Sequence, residues 1–271
     1  MSNTRIQRRM EALKASGRKA LIPYIVAGDP TPTVTVPAMH AVVEAGADII
    51  ELGMPFSDPF ADGPVNQRGA ERAINSGMTL AGVVTTVSEF RKDDNDTPIV
   101  LMGYLNPVIA MGETIFCEAA AAAGVDGLLI VDMPPEEEGS LVQSAKMNGL
   151  DLIYLAAPTT TDERLQTIGK ATSGYLYYVS LKGITGSSKL DTSDVSQRVA
   201  YMRQHVSVPI CVGFGIRNAK DAAVISSAAD GSIVGTVLVS QVEALVDQPE
   251  KIPNALKAIL EPMRQAMDTN G

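Results

Sequence analysis

Eight short apolar runs, most of them followed by a loop and a helical pattern, constrain this 271-residue chain more than any other feature. They fall at Ala20 to Val26, Ile49 to Leu52, Ile99 to Met102, 127 to 131, Leu152 to Leu155, Tyr175 to Val179, Val208 to Val212 and near 231 to 234. Continuous apolar runs of this length read as strands covered on both faces, as a parallel sheet requires. The approach to a strand also repeats. Glu44-Ala-Gly-Ala-Asp48, Ala122-Ala-Gly-Val-Asp126 and Ser227-Ala-Ala-Asp-Gly231 each close a helical pattern in small residues and turn through Gly or Asp. Helical spacing occupies 4 to 16, 34 to 45 (with Pro37 in its first turn), 80 to 92, 113 to 123, 136 to 148, 162 to 170, 193 to 205, 219 to 228 and 250 to 268. Eight alternating units predict an α/β protein, a single (β/α)8 TIM barrel with an extra N-terminal helix; an open doubly wound sheet is the competing arrangement. No linker or composition break divides the chain, so residues 1 to 271 are expected to form one domain.

Charge excludes some partners. With 22 basic and 31 acidic residues the net charge is -9, a poor footprint for nucleic acid or an anionic membrane surface. Cys117 and Cys211 lie far apart without metal-ligand spacing, and no segment has the apolar length of a signal core or a membrane span. These features predict a soluble, cytoplasmic protein with reduced thiols and no metal.

The chemistry concentrates between 49 and 67. A strand ending in Glu51-Leu52 runs into Gly-Met-Pro-Phe-Ser-Asp-Pro-Phe-Ala-Asp-Gly-Pro, a loop long for a compact domain. Met54, Phe56 and Phe60 are costly to leave in water and three prolines stiffen the path, so the loop is expected to be ordered. Glu51 inside a strand and Asp62 on the loop provide two carboxylates in different surroundings. The structural alternative is a salt-bridged Glu51 and a turn-capping Asp62.

Three glycine-bearing turns follow the last three strands: Gly183 to Gly186, Gly213-Phe-Gly215 and Gly235-Thr236. In a barrel such turns bring backbone amides together on an anion, which needs no lysine. Tyr24, Tyr104, Leu129, Val131, Asp132, Ile153 and Tyr177 sit at strand ends, a set suited to a flat apolar ligand, although the aliphatics read equally as barrel core. His40 and His205 lie on helices away from these turns. With no nucleophilic triad and no Cys/His cluster, acid/base work by carboxylates remains. Paired carboxylates would also fit a glycosidase.

The stretch from Glu51 to Pro64 resembles the signature of the tryptophan synthase alpha subunit family. Pro23-Tyr-Ile-Val-Ala-Gly-Asp-Pro30, Met102-Gly-Tyr-Leu-Asn-Pro107, Val131-Asp-Met-Pro134, Ser180 to Gly186 and Gly213 to Ile216 look like its other blocks, in order. The resemblance implies a lyase of tryptophan biosynthesis that cleaves indole-3-glycerol phosphate to indole and glyceraldehyde 3-phosphate by a retro-aldol reaction. Glu51 would be the acid/base, its pKa raised by apolar surroundings, and Asp62 would stay ionised to accept the indole N–H. Tyr24, Tyr104, Leu129, Ile153, Tyr177 and Phe214 would contact the ring, and Gly186, Gly215, Gly235 and Thr236 the phosphate. Thr236 replaces the more usual Ser, Tyr24 a frequent Phe, and Gly103 a larger residue, departures that bear on pocket tightness.

The same resemblance implies no cofactor in this subunit and a partner, the pyridoxal-phosphate-bearing beta subunit, in an alpha2beta2 tetramer. Pro55 and Asp58 would face it, and segments 55 to 62 and 181 to 194 would act as lids. Alternative readings are a stand-alone indole-releasing lyase, a catalytically silent barrel kept as an allosteric partner, and another phosphate-binding barrel, which would lack the Pro-Phe-Ser-Asp-Pro loop.

Overall fold

The computed structural model describes residues 4–137, 139–179, 192–213 and 215–269. Gly186, Phe214 and most of the 181 to 194 segment therefore lie outside the described residues. The strands are β1 (Ala20–Val26), β2 (Ile50–Gly53), β3 (Ile99–Gly103), β4 (Gly127–Ile130), β5 (Asp151–Leu152 continued by Leu155–Ala156), β6 (Leu176–Val179), β7 (Ile210–Gly213) and β8 (Gly231–Val234). All pair in parallel, and β1 lies between β2 and β8. The ring closes through β5. Its first half pairs with β4 and its second with β6, while the Ile153 N–H donates to Leu128 O (2.9 Å) and the Tyr177 N–H to Tyr154 O (3.0 Å). The architecture is the expected (β/α)8 barrel with an extra helix in front.

The helices are α1 (Arg5–Ala15), α2 (Pro32–Glu44), α3 (Pro64–Asn75), α4 (Leu80–Phe90), α5 (Leu105–Met111), α6 (Glu113–Ala123), α7 (Ser140–Met147), α8 (Asp162–Ala171), α9 (Thr192–Met202), α10 (Ala219–Ala228), α11 (Thr236–Ala244) and α12 (Ile252–Thr269). Three of them, α3, α5 and α11, have no counterpart in the periodicity. The first starts on Pro64 and is mostly polar, the second is a single apolar stretch interrupted by Pro107, and the third is apolar over most of its surface. Helix α2 starts at Pro32, which puts Pro37 in its second turn rather than its first. Pro37 has no N–H to give the preceding turn, and Pro32 supplies the helix-starting geometry instead.

Two apolar cores result. One fills the space between sheet and helices. The other fills the lumen with Ile22, Ile49, Val100, Leu129, Ile153, Tyr175, Cys211 and Ile233, and α1 closes its floor with Ile6, Met10 and Leu13. The fit at the floor is close. A Cβ on Gly127 would lie 3.1 Å from Ile6 Cδ1, and one on Gly174 3.3 Å from Ile6 Cγ2.

The repeated helix-to-strand turn has a structural meaning. Asp48, Asp126 and Asp230 each donate their own N–H to the carbonyl of a residue opening the neighbouring strand (Leu21, Ile99 and Ile210, at 2.8, 2.9 and 2.8 Å). Each carboxylate then accepts that same residue's N–H, at 2.9, 2.8 and 2.9 Å. An arginine completes each clasp: Arg264 on Asp48 (3.1 Å), Arg91 and Arg5 on Asp126 (2.7 and 2.9 Å), and Arg203 on Asp230 (2.9 Å). The lower rim is thus held by buried or half-buried carboxylates, each with a cation and a backbone donor.

Candidate active site

At the opposite rim the carboxylates are held differently. Glu51 lies in register between Tyr24 of β1 and Val100 of β3, and its side chain is fully buried. The Tyr175 hydroxyl donates to Oε1 at 2.5 Å, and Oε2 has no hydrogen-bond partner among the described residues. Burial pushes the carboxyl up to about 8, against a smaller opposing pull from the Tyr175 hydroxyl. At neutral pH Glu51 is therefore mostly a neutral acid with one donor and one open oxygen.

Asp62 reaches the same mouth from the loop between β2 and α3. Tyr104, at the end of β3, donates its hydroxyl to Asp62 Oδ2 at 2.6 Å and accepts the Ala61 N–H at 3.0 Å. Burial raises the pKa of Asp62, while the Tyr104 hydroxyl and the Asn66 amide favour its ionised form. The rings of Phe56 and Phe60 each lie 5.4 Å from that of Tyr104, and Gln67 of α3 donates to Pro59 O and Asp62 O at 3.2 and 2.8 Å. The loop is thus anchored to β3 and α3. Its apolar side chains do not all anchor it: Met54 is buried and Phe56 half-buried, but Phe60 stays 75% exposed despite its edge contact. Pro55 is half-buried and Asp58 exposed, accepting the Ser57 hydroxyl.

Tyr24 and Tyr177 show that the two carboxylates share one space. Burial raises both phenol pKa values first; next come Asp62 and Glu51 for Tyr24, and Glu51 and Asp62 for Tyr177. Glycines at strand ends make room for these rings. A Cβ on Gly53 would meet the Tyr24 hydroxyl at 2.6 Å, and one on Gly213 the Tyr177 hydroxyl at 2.1 Å. Gly103 has the same use, since a Cβ there would lie 2.8 Å from Met54 Cε; the space opened by the small residue is filled by Met54.

Leu129 and Ile153 belong to the luminal core, with Met102, Val131, Leu155 and Tyr177 packed over it. Asp132 caps α5 by accepting the Leu105 N–H at 2.8 Å. Gly215 is exposed with a left-handed φ of 47°, and Gly235 is the N-cap of α11, leaving Thr236 exposed at its first position. The Leu238 and Val239 N–H groups fold back on Gly235 O (2.8 and 3.2 Å), and the amides of Thr236 and Val237 stand at the positive end of the helix. His40 stacks on Phe90 and His205 lies tilted against Tyr201, away from this mouth. Among the described residues no group of three or more His, Cys, Asp or Glu side chains could hold a metal ion.

Helices α3 and α11 are clamped together. Arg72 binds Asp29 through two contacts (2.7 and 2.8 Å) and reaches Glu243 of α11 at 3.0 Å, and Arg68 binds Glu243 at 2.6 and 2.8 Å. The Asp62 loop and the Gly235 turn thus open helices with a fixed relation to each other.

Sequence reasoning passed over three residues. Tyr175 has the plainest signal: it stands two positions before Tyr177 on one strand and so faces the same side. Met102 lies inside a strand, where its sequence signal is only that of an apolar residue, and it lines the cavity beside Asp62. Asn66 belongs to a helix that periodicity does not reveal.

The tryptophan synthase alpha chain family matches residues 10–268. The alpha chain of Nitrosococcus oceani is 55% identical over 265 residues, covering 98% of both chains, and that of Laribacter hongkongensis 54% over 264 residues, covering 97% of this chain and 99% of that one. Among solved structures, tryptophan synthase subunit alpha from Legionella pneumophila superposes with a TM-score of 0.92 at 42% identity over 99% of this chain and all of that one. A ligand-free mutant form of tryptophan synthase from M. tuberculosis gives 0.86 at 32% identity over 97% of this chain and 99% of that one. The barrel, the carboxylate-bearing mouth and these full-length matches lead to one statement: the chain belongs to the tryptophan synthase alpha chain family.

Proposed function

We propose that the chain cleaves indole-3-glycerol phosphate by a retro-aldol reaction, releasing indole and glyceraldehyde 3-phosphate for tryptophan biosynthesis in the cytoplasm. The observation that carries this reading is Glu51, a fully buried carboxyl with its pKa pushed up to about 8, one oxygen held by Tyr175 and the other without a hydrogen-bond partner among the described residues. Its proton passes to indole C3, and positive charge appears on the ring nitrogen. The carboxylate then takes the proton of the side-chain hydroxyl, the C–C bond breaks as the carbonyl forms, and its electrons neutralise the ring. The proton count closes on Glu51, so the chemistry asks for no metal or organic cofactor in this subunit.

Asp62 accepts the ring N–H and stabilises the charge there. Tyr24, Tyr104 and Tyr177, with Phe214, bound the ring, and Leu129 and Ile153 form the floor beneath it. The phosphate takes the amides of Gly186, Gly215, Gly235 and Thr236, the last two at the start of α11. The chain works as one domain over residues 1 to 271. Pro55 and Asp58 face a beta subunit in an alpha2beta2 assembly, a reading supported by the likeness to a solved tryptophan synthase from M. tuberculosis. The 55 to 62 loop closes over the substrate and excludes water.

Incubating the chain with indole-3-glycerol phosphate, with and without purified beta subunit, tests this directly. Indole release that rises when the beta subunit is added is expected. Full activity unaffected by the beta subunit would make the chain a stand-alone lyase, and no release in either condition would make it a silent barrel.

A further inference from the structure

Asn66 occupies the first turn of α3, two residues after its Gly63 N-cap has passed into Pro64, and it lines the same small cavity as Tyr24, Asp62, Met102 and Tyr104. Its Oδ1 is buried and has no hydrogen-bond partner among the described residues. Buried carbonyl oxygens are seldom left open, and an open one beside a reactive group points to a partner that arrives with the ligand. The orientation of the amide follows from chemistry. An ionised Asp62 only accepts, so the NH2 group must face it and the oxygen must face away.

We propose that Asn66 has two tasks in the reaction assigned above: its Nδ2 positions Asp62, and its Oδ1 is a second acceptor for the ring N–H of the heteroaromatic substrate. The two tasks support each other. A ring nitrogen gaining positive charge is stabilised by every oxygen fixed toward it before the charge appears. Tyr104 already holds Asp62 Oδ2, and among the described residues Asn66 and Tyr24 line the same cavity as Asp62, whose charge also reaches Tyr177. Among the described residues no cation contributes to the pKa of Asp62, so a neutral donor beside it matters more than it would next to an arginine.

The inference rests on the proposed lyase reading, and its test separates the two. In the free chain, carbon-13 NMR follows the Asp62 carboxyl, its resonance assigned by its disappearance in Asp62→Asn. Asn66→Leu, similar in volume but without donor or acceptor, should move the Asp62 midpoint upward by about one pH unit. With indole-3-glycerol phosphate, the same variant should lose about tenfold in kcat, the scale of one hydrogen bond made in the transition state, with KM changing far less. Asn66→Ala should behave the same way, and takes its place should Asn66→Leu not fold.

An unmoved Asp62 midpoint overturns the positioning role. A loss confined to KM overturns the acceptor role and leaves Asn66 as pocket wall. If the wild-type chain releases no indole, the lyase reading fails and the acceptor role with it, while the midpoint still decides whether Asn66 holds Asp62.

Discussion

The two rims of the barrel use the same side-chain type in opposite ways. At the strand starts Asp48, Asp126 and Asp230 each receive an arginine and a backbone N–H. At the strand ends Glu51 and Asp62 receive hydroxyls and an amide, and among the described residues no cation contributes to the pKa of either. Geometry alone does not force the contrast, since both rims bury their carboxylates. A carboxylate clasped by arginine and a backbone N–H holds neighbouring strands together. Glu51, left with a neutral donor, keeps a proton within reach of neutral pH, which suits proton transfer and costs stability when the proton leaves. The lower rim is built for holding, the upper for exchange.

The sharpest attempt to break this comparison is Glu51→Gln. Turnover should fall by roughly 10²- to 10⁴-fold, while binding of a substrate analogue and the circular dichroism spectrum stay close to wild type. Near-normal turnover would return Glu51 to the structural class of the lower rim. Asp126→Ala should do the reverse, costing about 3–5 kcal/mol in denaturant unfolding because the buried Arg91 loses its carboxylate partner, with kcat per folded molecule unchanged. A large loss of kcat without a loss of stability would erase the division between the rims.

The pH dependence sharpens the contrast further. Because the folded pKa of Glu51 is raised to about 8 above an ordinary value of 4.5, its contribution to stability is complete below about 4.5 and is lost as pH rises through 8. Glu51→Gln cannot ionise. The variant should match wild type near pH 4 and exceed it near pH 9 by a few kcal/mol, at about 1.4 kcal/mol per pH unit between the two values. Equal stabilities at pH 9 would show that the buried carboxyl is not strained when charged. The smallest effect belongs to Tyr175→Phe. Removing the hydroxyl that favours the carboxylate should move the alkaline limb of kcat/KM to higher pH and lower turnover by about tenfold. A limb moving to lower pH would contradict the assigned hydrogen bond.

What was readable in the sequence follows the same division. The parallel barrel was legible because β1 to β8 are continuous apolar runs, and the repeated Ala-Gly-Asp turns marked the places where the lower clasps form. Their arginine partners were not. Arg264 and Arg91 meet Asp48 and Asp126 across long sequence separations, and nothing in local spacing specifies such pairs. Glu51 and Asp62 stood out because carboxylates are rare in a strand and next to a Pro-rich loop. Asn66 stayed hidden, because α3 opens on a proline and has too few apolar residues to show a helical period. Helix α11 was missed for the opposite reason, being apolar on too many sides. Both helices are defined by what they pack against, and the Arg72–Glu243 clamp between them exists only in the folded chain.

Helix α1, with Ile6, Met10 and Leu13 seated in the lumen, turns the barrel into a cup instead of a pipe. Nothing can drain along the axis, so a substrate that enters past the 55 to 62 loop and the fragments it yields must share one doorway. Departure of the first fragment then sets when the second can follow, and any partner meant to receive one of them has to stand at that door.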